Sequence, residues 1–215
     1  MATLSEGRHT AEFLVSEANG YRSRDEITIA ASLAAALVPG TVLGKRTVGT
    51  PSAAAAAGNT GDGAFGSVTV GAGAKPGVYR VICIEPATDA GQFAVEDPNG
   101  VIIGKATVGV AFSNQIGFTI ADGAANFVAG DSFAVTVADG AGTYQALDLS
   151  ATNGAAVAAG IAYAGVPILA ATQKAVGIVR DAEVNAAELT WPAGITNDQK
   201  TAALAQLAAL GIIAR

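Results

Sequence analysis

Between residues 67 and 138 the chain repeats one short pattern, a run of alternating apolar and polar residues followed by a turn signal. The runs fall at residues 68–70, 78–84, 92–97, 101–108, 116–121 and 132–138. Alternation with period two puts one apolar face on each strand: Phe93 and Val95 oppose Gln92, Ala94 and Glu96, while Phe133, Val135 and Val137 oppose Ser132, Ala134 and Thr136. Ile116, Phe118 and Ile120 form a third such set. Asp97-Pro98-Asn99-Gly100 is a strong turn signal, because Asn-Gly tolerates the positive φ of tight hairpins. This spacing predicts an antiparallel β-sandwich of roughly six strands.

The rest of the 215-residue chain is enough for a second unit, since domains of about 100 to 150 residues are commonest. Residues 1–24 show no sustained period and read as an N-terminal arm rather than a core element. From Asp25 a first strand and, after Pro39-Gly40, a second begin a small β domain. Residues 48–66 collapse into Pro, Ser, Ala, Gly and Asn and read as a linker. Strands resume at 143–149, 161–166 and 176–184. One helix is predicted near the C-terminus: Thr196 and Gln199 form a capping box, Leu204, Leu207 and Leu210 line one face for docking, and Gly211 is the stop. The expected class is mainly β (α+β), with three segments: an arm at 1–24, a discontinuous domain at 25–49 and 141–215, and a sandwich at 50–140 carrying the linker at its start.

Apolar residues make up 51% of the chain, but only 7 Phe, 4 Tyr and 1 Trp are among them. Small side chains bury little area, and burial stabilises by roughly 25 cal/mol per Å², so such a chain gains from surfaces shared with partners. A net charge of −6 without a basic patch argues against nucleic acid. The chain shows neither signal peptide nor membrane span, so a soluble protein made in a cytoplasm is expected.

Reactive residues are few. With one Cys and one His, neither an internal disulfide nor a Cys/His metal cluster can form. Cys83 lies mid-strand and reads as a buried small hydrophobe. His9 sits in the arm with no nucleophile and carboxylate held near it. Gly71-Ala72-Gly73 leads through Pro76-Gly77 into a strand, so it lacks the helix N-terminus that a phosphate loop needs. The stretch Gly58 to Gly63 offers one carboxylate, Asp62, against the six to eight oxygens of a calcium site. Asp89, Asp122, Asp131 and Asp139 read as turn residues, and Trp191 with Pro192 as a packing anchor before the helix. No catalytic residue, cofactor or metal is expected, and an enzyme is not indicated.

With the middle set aside, EFLVSE at 12–17, SRDEIT at 23–28, VPGTVLG at 38–44, AGIAY at 159–163, residues 175–184 and the ending 202–213 with LAALGII resemble the phage lambda head decoration protein D family. The resemblance covers about half the chain. It implies a small domain, dominated by β structure, that forms homotrimers on local three-fold axes outside the expanded head. There it would bind the major capsid protein, stabilise the shell and belong to the virion. The family's arm orders on the capsid, which assigns the contact here to Glu12, Phe13, Leu14, Val15 and Ser16. The departure is the insertion at about 50–140. It could recognise host glycans, a site that would need exposed aromatics among Phe65, Tyr79, Phe93, Phe112, Phe118, Phe127 and Phe133, or it could be structural.

Overall fold

The computed structural model describes residues 6–215. Residues 1–5, where the predicted arm begins, lie outside the described residues. The chain divides into two compact units, one of residues up to Arg46 with Gly142–Ala151 and Ala155–Arg215, the other of Thr47–Ala141 with Thr152–Gly154.

In the first unit the strands are β1 (Leu14–Glu17), β2 (Arg24–Ile29) and β3 (Val42–Lys45); the second unit holds β4 (Val48–Ala55), β5 (Thr69–Val70), β6 (Gly77–Ala87), β7 (Ala90–Glu96), β8 (Ile102–Thr107), β9 (Phe112–Ser113), β10 (Ile116–Phe118) and β11 (Ser132–Asp139). The first unit resumes with β12 (Tyr144–Ala146), β13 (Ala158–Ala162), β14 (Gln173–Ile178), β15 (Ala182–Val184), α1 (Asn197–Ala209) and β16 (Ile212–Ala214).

Five strands of the first unit close a barrel in the order β12-β2-β14-β13-β3. Successive residues of one strand face opposite ways: Leu43 joins a cluster with Ile27, Ile29 and Leu37, while its neighbour Val42 joins the other cluster with Ile161, Ile178 and Leu207. That second cluster fills the space among the barrel, the sheet β1-β15-β16 and α1. Gly44 allows the close approach, since a Cβ there would stand 2.0 Å from the backbone oxygen of Ala155.

Helix α1 forms as its sequence predicts. Thr196 Oγ1 accepts from Gln199 N–H at 3.2 Å, and Gln199 Oε1 accepts from Thr196 N–H at 2.9 Å. Ala203 and Leu207 are buried and Leu204 is half-buried against the same cluster. Leu210 departs from the predicted stripe: it is the C-cap, and the chain leaves the helix at Gly211 (φ +78) toward β16, leaving Leu210 exposed. Losing the cap by Thr196→Ala is expected to cost about 1 kcal/mol, seen as a lower urea midpoint for Trp191 fluorescence, because Trp191 packs on the cluster that α1 covers.

The second unit has a five-stranded sheet, β4-β11-β6-β7-β8, and a three-stranded one, β5-β10-β9. One core joins them: Tyr79, Val81 and Cys83, Phe93 and Val95, Ile116, Phe118 and Ile120, and Phe133, Val135 and Val137 are all buried in it. These are the faces that alternation selects. The 97–100 turn joins β7 to β8, with Gly100 at φ +77 and Asp97 Oδ1 accepting from the N–H groups of Asn99 and Val101.

Two sequence readings are corrected. Residues 48–55, read as linker, form β4 and pair antiparallel with β11, from Pro51 opposite Val137 to Ala55 opposite Phe133. The arm contains a paired strand: β1 pairs with β15, Leu14 lying opposite Val184, and Phe13 is only 1% exposed. A small-residue run can be a strand when a neighbouring strand supplies the ladder, and one phenylalanine can seat a short segment without any periodicity.

Candidate functional site

Chain around the first strand gathers most of the residues that the sequence nominates for contact. Ala11, at φ +61, donates its N–H to Tyr163 O at 3.0 Å and turns the chain inward. Phe13 then plugs the core, with its carbonyl accepting from Asn185 N–H at 2.8 Å, and Leu14 packs beside it. Glu12, Val15 and Ser16 stay outside, Val15 being 59% exposed. Of the five nominated residues, two are therefore internal anchors and three face solvent. Ahead of them residues 6–10 are exposed along their length. The His9 ring stands 3.1 Å from the Glu6 carboxylate, and the His9 backbone N–H donates to the Glu12 carboxylate at 2.9 Å. Arg8 donates to Glu188 O and lies 3.4 Å from that residue's carboxylate.

A polar cluster beside β1 was not nominated from sequence. Arg24 makes a two-pronged contact with Glu17 at 2.7 and 2.8 Å and stacks over Tyr163 at 4.3 Å and Tyr21 at 4.9 Å. The Glu17 hydrogen bond holds Arg24 above even its ordinary pKa, with partial burial opposing. Buried Ser23 accepts from Ala18 N–H at 2.8 Å and donates to Asp181 O at 2.6 Å, fastening the end of the segment to the body. Glu17 lies seven residues before Arg24 and Tyr163 far along the chain, so no local pattern joins this guanidinium, carboxylate and phenol ring, and only the fold brings them together.

Leu210 lines an open cavity of about 560 Å³ with Asp25, Lys45, Tyr144, Arg180 and Gln206. Its polar groups are already engaged: Arg180 pairs with Asp25 at 2.6 Å, Lys45 lies 5.6 Å over the Tyr144 ring, and Gln206 accepts from Ala158 N–H at 2.7 Å. Burial pushes the Tyr144 hydroxyl up, the Asp25 charge adding to it. A third surface is the pair of loops at 30–38 and 164–172, joined by reciprocal bonds between Leu37 and Val166 and free of charged side chains. It exposes Val38, Ile168 and Leu169.

In the second unit the carboxylates serve the backbone. Asp131 is 4% exposed; burial works against its charge, but N–H groups of Gly61, Thr60 and Val128 more than compensate and hold it below the usual carboxylate range. Lys75, 2.5 Å away, holds Asp97 low as well, with the turn N–H groups assisting. Asp62 accepts from Ala125 N–H at 2.8 Å. Burial raises the Cys83 thiol, the Asp131 charge adding. Among the described residues no group of three or more His, Cys, Asp or Glu is placed to hold a metal ion. The aromatics weighed for a glycan surface go inward: Tyr79, Phe93, Phe118, Phe127 and Phe133 are buried, and half-buried Phe65 and Phe112 stack on Phe118 at 4.6 and 5.1 Å.

No curated protein matches the sequence. Two crystal forms of Xanthomonas campestris FlgL are similar over 50% of this chain at 20% identity, with a TM-score of 0.32. The chain covers 34% and 33% of those FlgL chains, about a third of their length, and so loose a likeness carries no argument. The model of bacteriophage lambda head decoration protein D matches residues 3–212, which takes in both units and every nominated contact residue. The chain belongs to the phage lambda head decoration protein D family.

Proposed function

We propose that this chain decorates the outer surface of a phage head as homotrimers at local three-fold positions, where it binds the major capsid protein and stabilises the expanded shell. The family match across residues 3–212 carries this reading. The exposed segment ahead of Ala11 is the leader that lies on the shell, and Glu12, Val15 and Ser16 continue that contact along β1. Phe13 and Leu14 act by holding the leader's root in the core. An extended segment gains affinity by adding main-chain hydrogen bonds to a sheet edge, and three leaders per trimer multiply the grip. Residues 50–140 are the family's departure, an inserted sandwich with a structural role. Its aromatics are taken up by its own core, so nothing favours the glycan reading over this one.

The test is removal of residues 1–9, which spares Ala11 and Phe13. The shortened chain is expected to keep its circular dichroism and Tm and to lose at least about tenfold in co-sedimentation with expanded heads, or about 1.4 kcal/mol. Binding at full strength would overturn the leader's role. A cut after residue 20 would be uninformative, since it removes Phe13 and β1 from the fold.

A further inference from the structure

We propose that β4 is a pairing edge, and that its occupant is β4 of a second copy, joined antiparallel about a two-fold axis through Ala54. Strand β4 ends the five-stranded sheet, with β11 on one side and no strand on the other. Ala56 N–H donates to Ser132 O at 2.9 Å, so along the ladder the even positions Ser52 and Ala54 face β11. The odd positions Ala53 and Ala55 turn their N–H and C=O groups outward, where no described residue bonds them. Pro51 shares that parity, as a proline in an edge strand should, because its missing N–H then faces away from the ladder.

Edges are normally blunted by lysine, proline, a bulge or a covering loop. The far edge of the same sheet is blunted: β8 carries Lys105, and the Asn114 side chain caps Ile103 O at 2.7 Å. The barrel of the first unit is closed and has no edge. From Ser52 to Ala57 none of these devices occurs, and every residue is exposed. The inner-face residues Ala53 and Ala55 are bare although their partners Val135 and Phe133 are buried.

Charge selects the occupant. No charged residue lies between Arg46 and Asp62, in a chain of net charge −6, so this stretch can meet its own copy without like charges facing. Pairing to the partner's β8 would meet its occupied carbonyl. A two-fold through Ala54 sets Ala53 opposite Ala55 of the other copy twice over. Each pair exchanges both bonds, giving about four hydrogen bonds in all. This inference stands apart from the decoration role.

Ala54→Cys in the full chain places two thiols directly across the axis, within disulfide reach, while the native Cys83 is buried. Mild oxidation is expected to give a covalent dimer. Ala134→Cys, exposed on neighbouring β11 opposite Ala54 and about three strand spacings, roughly 14 Å, from its mate, is expected to stay reduced. Cross-linking of both, or of neither, would overturn the proposal. In the unaltered chain, the Ala53 and Ala55 amides are expected to exchange with solvent at least about tenfold more slowly at high protein concentration than on dilution. Fast exchange at every concentration would overturn it, as would protection that appears only when heads are added, which would assign the edge to the capsid instead.

Discussion

Replacing Gly44 with valine is expected to prevent the barrel of the first unit from closing. Gly44 lies in β3 between Gln145 of β12 and the residues of β13, and a Cβ at this position would stand 2.0 Å from Ala155 O, 2.6 Å from its carbonyl carbon and 2.8 Å from its Cα. All three are backbone atoms, so no side-chain rotation makes room. Overpacking a core costs about 1 to 3 kcal/mol when side chains can shift, and a clash with fixed backbone belongs with the exceptional losses above about 4 kcal/mol. The single Trp, Trp191, packs on the cluster that includes Val42 of β3 and reports this loss in a urea titration. A valine variant whose Trp191 midpoint lies within about 0.5 kcal/mol of the parent would show that this packing is not what the barrel depends on.

The second large effect is expected at Asp131. Truncation to alanine leaves the N–H groups of Thr60, Gly61 and Val128 without their buried acceptor, and hydrogen bonds to a charged group are worth about 1.5 to 3 kcal/mol each. The expected loss is on the order of 4 kcal/mol, confined to the second unit and read from the Tyr79 and Phe93 resonances in denaturant. The pH dependence follows from the direction of the shifts. Asp131 and Asp97 are both held below the usual carboxylate pKa, so their contribution is fully present above the unfolded value of about 3.9. It is lost as pH falls through the lower folded values. The parent's stability should therefore be level near neutrality and drop below about pH 4, and Asp131→Ala should flatten that drop. A variant with the parent's midpoint and the parent's acid slope would show that the carboxylate does not fasten the 58–63 loop.

Much of the second unit was legible in the sequence because its information is local. Alternation at Phe93 and Val95, or at Phe133, Val135 and Val137, needs only the pleat, and the 97–100 turn needs only Asn-Gly backbone freedom. The capping box of α1 is likewise contained in four residues. What was not legible depends on distant chain. Strand β4 exists because β11, some eighty residues later, offers it a ladder; an alanine run alone has no reason to be extended. Asp131 meets Thr60 and Gly61 across 71 and 70 residues, so its spacing as a turn residue told only the Val128 part. At the candidate site, Leu207 reads correctly from helical period, while Leu210 does not, because Gly211 redirects the chain one residue later. In the predicted arm, residues 6–10 are exposed, but Phe13 belongs to the core, which no local pattern announced.

Phe13 fixes β1 in the core, and the Glu17–Arg24 pair and Ser23 fasten the segment behind it.

The most direct test is electron cryomicroscopy of expanded heads saturated with the full chain. The account predicts density for the chain on the outer surface at three-fold positions, with the residues ahead of Ala11 running as an extended strand along an edge of the capsid subunit. Heads carrying the chain through another surface, with that leader free of the shell, would contradict it.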